Sequence, residues 1–356
     1  MSTQSVQVSI VVACRNEISH IRALLESILA QEMAGIGWEA IIADGISNDG
    51  TREVLAEYSV QYPQIRVIDN PKQIVSTGLN AAIRVARGAI IMRMDAHTTY
   101  APNYCHMCME TLERTAADNV GGPARTMPHG LQARAVAAAF HSPFSTGGAK
   151  FHDVQYEGWV DTVPYGCWRK ATLEGIGLFD ENLVRNQDDE LNLRLVRAGG
   201  KIWQSPTIVS WYSPRSTLSN LFHQYFQYGF WKVAVIQKHR LPASWRHAVP
   251  VLFMLANALL FSAAVAMLAM HVSPWGTTAA ALWVALIISY TGATLCASLF
   301  TAARWGWATF PYLPVVFAAY HLSYGLGFLV GLVKFVSSPD RGFERVAKTA
   351  FTRITR

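Results

Sequence analysis

The chain has 356 residues, of which 51% are hydrophobic and 15% charged, with a formal net charge of +6. That composition is too apolar for an ordinary water-soluble enzyme. The excess is uneven: charges are frequent up to about Arg246 and nearly vanish until Lys334, so a soluble-looking part precedes a membrane-looking part.

Basic residues crowd the end, at Lys334, Arg341, Arg345, Lys348, Arg353 and Arg356. Beside an apolar region such a cluster suits anionic lipid head groups; a solvated helix is the plainer alternative. No recognised nucleic-acid motif accompanies it, so no nucleic-acid partner is expected. Cys105 and Cys108 stand in a CxxC spacing, but a zinc site wants a second pair. The five scattered cysteines read as free thiols in a reducing compartment. No basic region precedes the apolar run at 6–13, so no signal peptide is expected.

Residues 6–13 form a β-branched apolar run, read as a buried strand. From Asn16 to about Ala34, Ile21, Leu24, Leu25, Ile28 and Leu29 recur at helical spacing. A second strand is expected over 38–43, ending in the turn-rich stretch Asp44–Thr51. A helix over about 51–61, a strand over 65–69, a helix over 80–87 and a strand over 89–94 follow. Strands alternating with helices imply an α/β domain with a largely parallel sheet.

Residues 217–232 carry Leu218, Leu221, Phe222, Tyr225 and Phe226 on one side, which predicts an amphipathic helix on the membrane surface; a helix facing the soluble core is the alternative. Uncharged stretches at 248–270, 276–303 and about 305–333 each exceed the roughly 20 residues that cross a bilayer. Pro311, Pro314 and His321 suggest that the third is broken or re-entrant. Three full crossings from a cytoplasmic domain would put the basic tail outside, against the positive-inside rule. The organisation expected is therefore a cytoplasmic catalytic domain over 1–215, an interfacial segment over 216–246, about three membrane segments over 247–336 and a basic tail over 337–356.

Parallel sheets bind ligands beyond the carboxyl ends of their strands. Glu17, Asp44 and Asp95 stand at three such ends. Each alone reads equally as a turn or cap residue. Asp95-Ala96-His97 places a carboxylate and an imidazole where both can face one Mg²⁺ or Mn²⁺ bridging to phosphate oxygens, and the imidazole tilts the preference toward Mn²⁺. A second acidic group, Gln187-Asp188-Asp189-Glu190, opens a helical pattern. The helix dipole favours acids there, and a general base for transfer to a hydroxyl is the functional alternative.

Several motifs occur in one order along residues 6–235: Ser9–Glu17, Ala43–Thr51, Ser76–Asn80, Met92–His97, Pro164–Cys167, Gly177–Glu181, Gln187–Arg194 and Gln224–Gly229. Together they resemble family 2 glycosyltransferases of the GT-A fold, in particular the succinoglycan-biosynthesis (ExoA-like) subgroup. The resemblance implies a Rossmann-like, mostly parallel sheet with flanking helices. It also implies that Ala13, Cys14, Glu17, Asp44, Ser76 and Asp95 hold the donor nucleotide, that Asp95 meets the metal and the diphosphate, and that Asp188 is the base; His97 is expected as the second metal ligand from the Asp95-Ala96-His97 spacing, not from the resemblance. Tyr165, Gly166, Gln187, Asp189, Gln224, Tyr228 and Trp231 are expected on the acceptor side. UDP-glucose as donor, a polyprenyl-diphosphate-linked saccharide as acceptor, membrane lipids as partners and the bacterial inner membrane as location follow from the same resemblance.

Two departures stand out. The usual Asp-x-Asp is Asp-x-His here, and the usual Glu before the base is Gln187, which should leave the Asp188 pKa less raised. No later histidine presents itself as a metal ligand; Trp211-Tyr212 occupies that region. Rival readings fare worse. A nucleotidyltransferase needs a glycine-rich loop after the first strand, and Cys14–Glu17 has no glycine. A processive synthase usually carries Gln-x-x-Arg-Trp, which Gln224–Tyr228 lacks. A non-catalytic scaffold does not require Asp44, Asp95 and Asp188 together.

Overall fold

The computed structural model describes residues 5–240, 245–272 and 274–336. The basic tail beyond 336 lies outside these residues, so the expectation placed on Arg341–Arg356 does too. The described chain forms two compact units, one of residues 5–127 and 149–213, the other of 128–148 and 214–336.

The first unit opens with β1 (Val8–Cys14), α1 (Ile21–Leu29), β2 (Trp38–Asp44), α2 (Thr51–Gln61), β3 (Ile65–Asp69), α3 (Val75–Val85) and β4 (Ile90–Met94). The first helix is shorter than the apolar spacing suggests and the third begins earlier. β5 (Thr98–Tyr100), α4 (Tyr104–Thr115), β6 (Asn119–Gly121) and β7 (Arg125–Thr126) follow. The chain then enters the second unit through α5 (Leu131–Phe140) and α6 (Pro143–Thr146). It returns as β8 (Gly158–Val160), β9 (Cys167–Arg169), α7 (Lys170–Gly175), α8 (Gln187–Arg197), β10 (Ile202–Gln204) and β11 (Ser210–Tyr212).

Eight strands form one sheet in the order β3-β2-β1-β4-β9-β6-β10-β8, and β5-β11-β7 form a small second sheet. The pairs among β3, β2, β1 and β4 are parallel, as is β10 with β6; β9 runs antiparallel to both β4 and β6. Both faces are covered, which explains why β1 and β2 read as continuous apolar runs. Ile21, Leu24, Leu25 and Ile28 of α1 pack on one face with Val8, Ile10 and Val12. Leu79, Ala82 and Ile83 of α3 pack on the other with Val11, Ile41 and Ala43. Val54 and Leu55 put α2 on the same face as α1 and opposite α3; with strand order β3-β2-β1-β4 this places a topological switch between β1 and β4, whose carboxyl ends open a crevice there.

The second unit is helical: α5 and α6, then α9 (Leu218–His239), α10 (Val249–Ala269), α11 (Trp275–Trp305) and α12 (Leu313–Val336). Three helices are long and apolar enough to cross a membrane, at Arg246–Ala269, Trp275–Trp305 and Leu313–Phe335. Leu252, Leu259, Phe261, Ile288 and Phe300 point outward, which suits lipid rather than water. The third helix is unbroken, contrary to the expected break. Pro311 precedes it, and Pro314 falls in its first turn, where a backbone N–H has no intrahelical partner to lose.

The amphipathic segment does form a helix, α9, but not one lying free on a surface. Phe230, Trp231 and Val233–Val235 are buried. A Cβ on Gly327 would stand 1.9 Å from the Phe226 carbonyl oxygen, and one on Gly331 2.8 Å from that of Phe230. Small residues at these points allow backbone-to-backbone approach of α9 and α12, which therefore run in the same direction. Residues 128–148, which the expectation placed within the domain over 1–215, pack with the helices. The small face of α5, at Ala135, Val136, Ala138 and Ala139, lies against Leu313, Val316, Phe317 and Tyr320, and the Tyr320 hydroxyl donates to the Val136 carbonyl at 3.2 Å.

Candidate active site

The end of β4 supplies the centre of the site. Met92 and Met94 are buried apolar residues, and Arg93 between them is only 3% exposed. Its Nε donates to Asp95 Oδ1 at 2.9 Å and its Nη2 to Asp95 Oδ2 at 3.1 Å. Its Nη1 donates to Asp188 Oδ1. Its backbone N–H donates to the Gly166 carbonyl at 3.1 Å, and the Phe179 ring lies 5.9 Å from the guanidinium. Burial alone would lower the Arg93 pKa, but Asp188 and Asp95 reverse the effect and raise it, so the guanidinium stays charged. The sequence reading missed Arg93; a lone charge between two buried strand methionines was the available signal.

Asp188 enters from the first turn of α8. Asn186 adopts a left-handed backbone (φ 60°) that starts the helix. Glu190, fully buried, receives Arg194 Nε at 3.0 Å and Nη2 at 2.7 Å, and Arg194 also donates to the carbonyls of Ile176 and Leu178. Asn192 donates to Thr162 at 2.7 Å and accepts from Asn119 at 2.9 Å. The helix is thereby pinned to the 176–178 turn and to β6. The Asp188 side chain keeps 36% of its surface accessible, yet surrounding atoms desolvate it strongly. Its pKa is raised to about 6, first by burial, against Arg93, with Asp95 and Asp189 adding to the rise. The rise stands even with Gln187 in place of Glu, because desolvation leads it. Gln187 is 7% exposed, and its Oε1 has no hydrogen-bond partner among the described residues. Asp189, beside it, is half-buried.

At the ends of β1 and β2 the predicted donor residues are brought together, though not all are open. Ala13 is partly exposed. Cys14 is buried with its Sγ 4.0 Å from Asp44 Oδ1, and burial pushes the thiol well up, so it stays protonated. Asp44 is fully buried: Ser47 donates to it from N at 3.1 Å and from Oγ at 2.5 Å, and Arg52 Nη1 at 3.0 Å. Arg52 also reaches Asp69 at 2.8 Å. These bonds make Asp44 the organiser of the loop after β2. Ser76 is likewise fully buried, its hydroxyl donating to the Leu183 carbonyl at 2.6 Å; it ties α3 to the segment before α8. Glu17 lies 3.4 Å from the His20 ring. Arg15, a second residue the sequence reading passed over, packs against Gly45 and leaves a buried Nε without a hydrogen-bond partner among the described residues.

His97 sits on the turn between β4 and β5. β11 pairs with β5 so that Tyr212 lies opposite Thr98, and the His97 and Tyr212 rings meet edge-on at 5.3 Å. A tyrosine therefore fills the region where a third ligand was sought. Among the described residues no group of three His, Cys, Asp or Glu side chains could hold a metal ion. Asp95 and His97 fit a hard cation that takes its remaining oxygens from phosphates, as Mg²⁺ and Mn²⁺ commonly do, and do not form a protein-only cage. Tyr165 (φ 61°) bonds the Thr98 hydroxyl at 2.7 Å. Gly166 has φ 103°, and a Cβ there would fall 2.3 Å from the Trp168 ring, so only glycine fits this close approach. Gln224, Tyr228 and Trp231 belong to the helical unit. Gln224 Nε2 donates to the Tyr228 hydroxyl at 3.0 Å. Trp231 is fully buried, 6.1 Å from the Phe335 ring of α12.

A family model described as glycosyl transferase family 2 matches residues 9–156. The chain is 34% identical over 244 residues to succinoglycan biosynthesis protein ExoA of Rhizobium meliloti (strain 1021), covering 68% of this chain and 74% of that protein. The chain belongs to glycosyltransferase family 2. The transferase is also 28% identical to a dolichyl N-acetyl-alpha-D-glucosaminyl phosphate 3-beta-D-2,3-diacetamido-2,3-dideoxy-beta-D-glucuronosyltransferase of Methanococcus voltae, over 71% of this chain and 81% of that one. A mannosyltransferase of Pyrobaculum calidifontis, solved with GDP-Man and Mn²⁺, shares the fold at a TM-score of 0.56 and 17% identity, over 92% of the transferase and 88% of its own chain.

Proposed function

We propose that this transferase moves glucose from UDP-glucose onto a polyprenyl-diphosphate-linked saccharide, with inversion, at the cytoplasmic face of a bacterial inner membrane, in the synthesis of an exopolysaccharide or cell-surface glycan. The observation that carries the reading is the meeting of Asp95 and Asp188 on one buried guanidinium at the carboxyl end of the sheet. In the reaction the acceptor hydroxyl attacks the anomeric carbon opposite the leaving group. The new glycosidic C–O bond forms as the anomeric C–O bond to phosphate breaks. Asp188 accepts the hydroxyl proton, and the nucleoside diphosphate departs with the bonding pair. Asp188 suits the task because its pKa of about 6 leaves it mostly ionised near neutrality yet basic enough to take a proton. A divalent cation held by Asp95 and His97 would neutralise charge on the diphosphate. A lipid-linked acceptor accounts for the three long apolar helices, because its tail stays in the bilayer. The names of the ExoA and Methanococcus relatives, which refer to succinoglycan and to a dolichyl phosphate, support a glycan built on a lipid.

The test uses the full chain in detergent with a panel of nucleotide sugars and Mn²⁺, reading nucleoside diphosphate released with and without lipid-linked acceptor. Acceptor-dependent release from UDP-glucose is expected. Asp188→Asn should bind donor normally while transfer falls by about 10²–10⁴. Absence of turnover with every nucleotide sugar, or an unimpaired Asp188→Asn, overturns the reading.

A further inference from the structure

We infer that Arg93 is a positioning residue of the transfer reaction, holding Asp188 and Asp95 in one fixed relation. The inference rests on the assignment of Asp188 as the base proposed above. Asp95 follows a central strand, whereas Asp188 stands on a helix that begins 92 residues later, counted from 187 less 95. Nothing local relates the two. The guanidinium does, because its donors lie in one plane in a rigid fork: the Nε and Nη2 edge takes both oxygens of Asp95, and Nη1 takes Oδ1 of Asp188.

Arg93 is itself held on several sides. Its N–H is fixed to Gly166, Phe179 lies beside the guanidinium, and almost none of it meets solvent. Among the described residues, Arg93 is the partner of the Asp188 carboxylate, and it engages Oδ1 alone. Oδ2 is left to accept a proton, in a direction set by the Oδ1 bond. A base that swings freely loses the advantage of orientation, and a displacement of roughly 1 Å can cost about 10²-fold in rate. A buried charge kept merely to stabilise the fold would not need to join two acids on the reacting side of the sheet, since buried ion pairs add little net stability.

The experiment compares the full chain, Arg93→Lys, Arg93→Gln and Arg93→Ala in detergent. It measures melting temperature, donor binding, and kcat and KM for transfer. Arg93→Lys keeps the charge but loses the fork, and kcat is expected to fall about 10²-fold. The KM for donor should change less than about threefold, as befits a contact that counts in the transition state. Added methylguanidinium should restore part of the kcat of Arg93→Ala and none of that of Asp188→Asn. Should Arg93→Ala fail to fold, Arg93→Lys and Arg93→Gln carry the comparison through the kcat-against-KM split. An Arg93→Lys enzyme with wild-type kcat, or a loss confined to KM or melting temperature, overturns the inference alone. A wild-type chain that transfers no sugar overturns the functional reading, and this inference with it.

Discussion

The Asp188 carboxylate, from the first turn of α8, accepts from the guanidinium of Arg93 on β4, while burial first, and then Asp95 across the guanidinium and Asp189 beside it, raise its pKa. The balance leaves a carboxyl that titrates at about 6, above the ordinary range for aspartate.

That value sets a pH dependence. The ionised form is the one that accepts the acceptor's proton, so transfer should be lost as pH falls through about 6 and reach a plateau above it. Asp189→Asn removes one of the charges that raise the pKa, and the acid limb of kcat should move to lower pH. A pH–rate profile for both proteins checks this. An acid limb that stays in place in Asp189→Asn would refute the electrostatic link.

His97→Ala tests the metal side. With Asp95 intact, the variant should need about tenfold more Mn²⁺ for half-maximal transfer, as metal sites typically do on loss of a supporting group. Melting should change little, since His97 is half-buried and packs edge-on to Tyr212 alone among the described rings. Manganese titrations that superimpose on wild type exclude His97 as a ligand.

Glu39 is a structural carboxylate that tests acid stability. It is fully buried on β2 and accepts from Ser9 Oγ at 2.8 Å, Arg87 N at 2.7 Å, Arg87 Nε at 2.9 Å and Arg66 Nη1 at 3.0 Å. Burial would raise its pKa, but these donors together hold it down at about 2. A depressed carboxylate contributes stability that is present above its unfolded pKa and is lost as pH falls toward the folded one. The loss should therefore run from about pH 5 to pH 2. Glu39→Gln should lower stability near neutrality by about 2–3 kcal/mol, short of the full cost of breaking a buried pair because both arginines are partly exposed. Chemical denaturation at pH 7 and pH 3 measures both effects.

Two glycines of the helical unit should behave oppositely. A Cβ on Gly327 meets the Phe226 carbonyl at 1.9 Å, whereas one on Gly292 meets nothing within 4 Å. Gly327→Ala must push α9 from α12 and should cost about 2–4 kcal/mol, in the range of overpacking and its consequences. Gly292→Ala should be neutral or stabilise by up to about 1 kcal/mol through helix propensity. Thermal unfolding in detergent separates them, and equal melting temperatures for the two would contradict the close packing of the helices.

The amino-acid pattern by itself determined the alternating strands and helices, the acids at strand ends, the acidic opening of α8 and three long apolar stretches. These are one-dimensional signals: side-chain period, turn residues and run length are legible wherever they occur. The tertiary structure alone decided that Arg93 joins Asp95 to Asp188, that Asp44 bonds Ser47 and Arg52 while Ser76 bonds the Leu183 carbonyl, that Trp231 is buried and that residues 128–148 pack among the helices. Each of those outcomes depends on which distant residues arrive next to one another. That depends on strand register and helix packing, which no spacing along a single chain encodes.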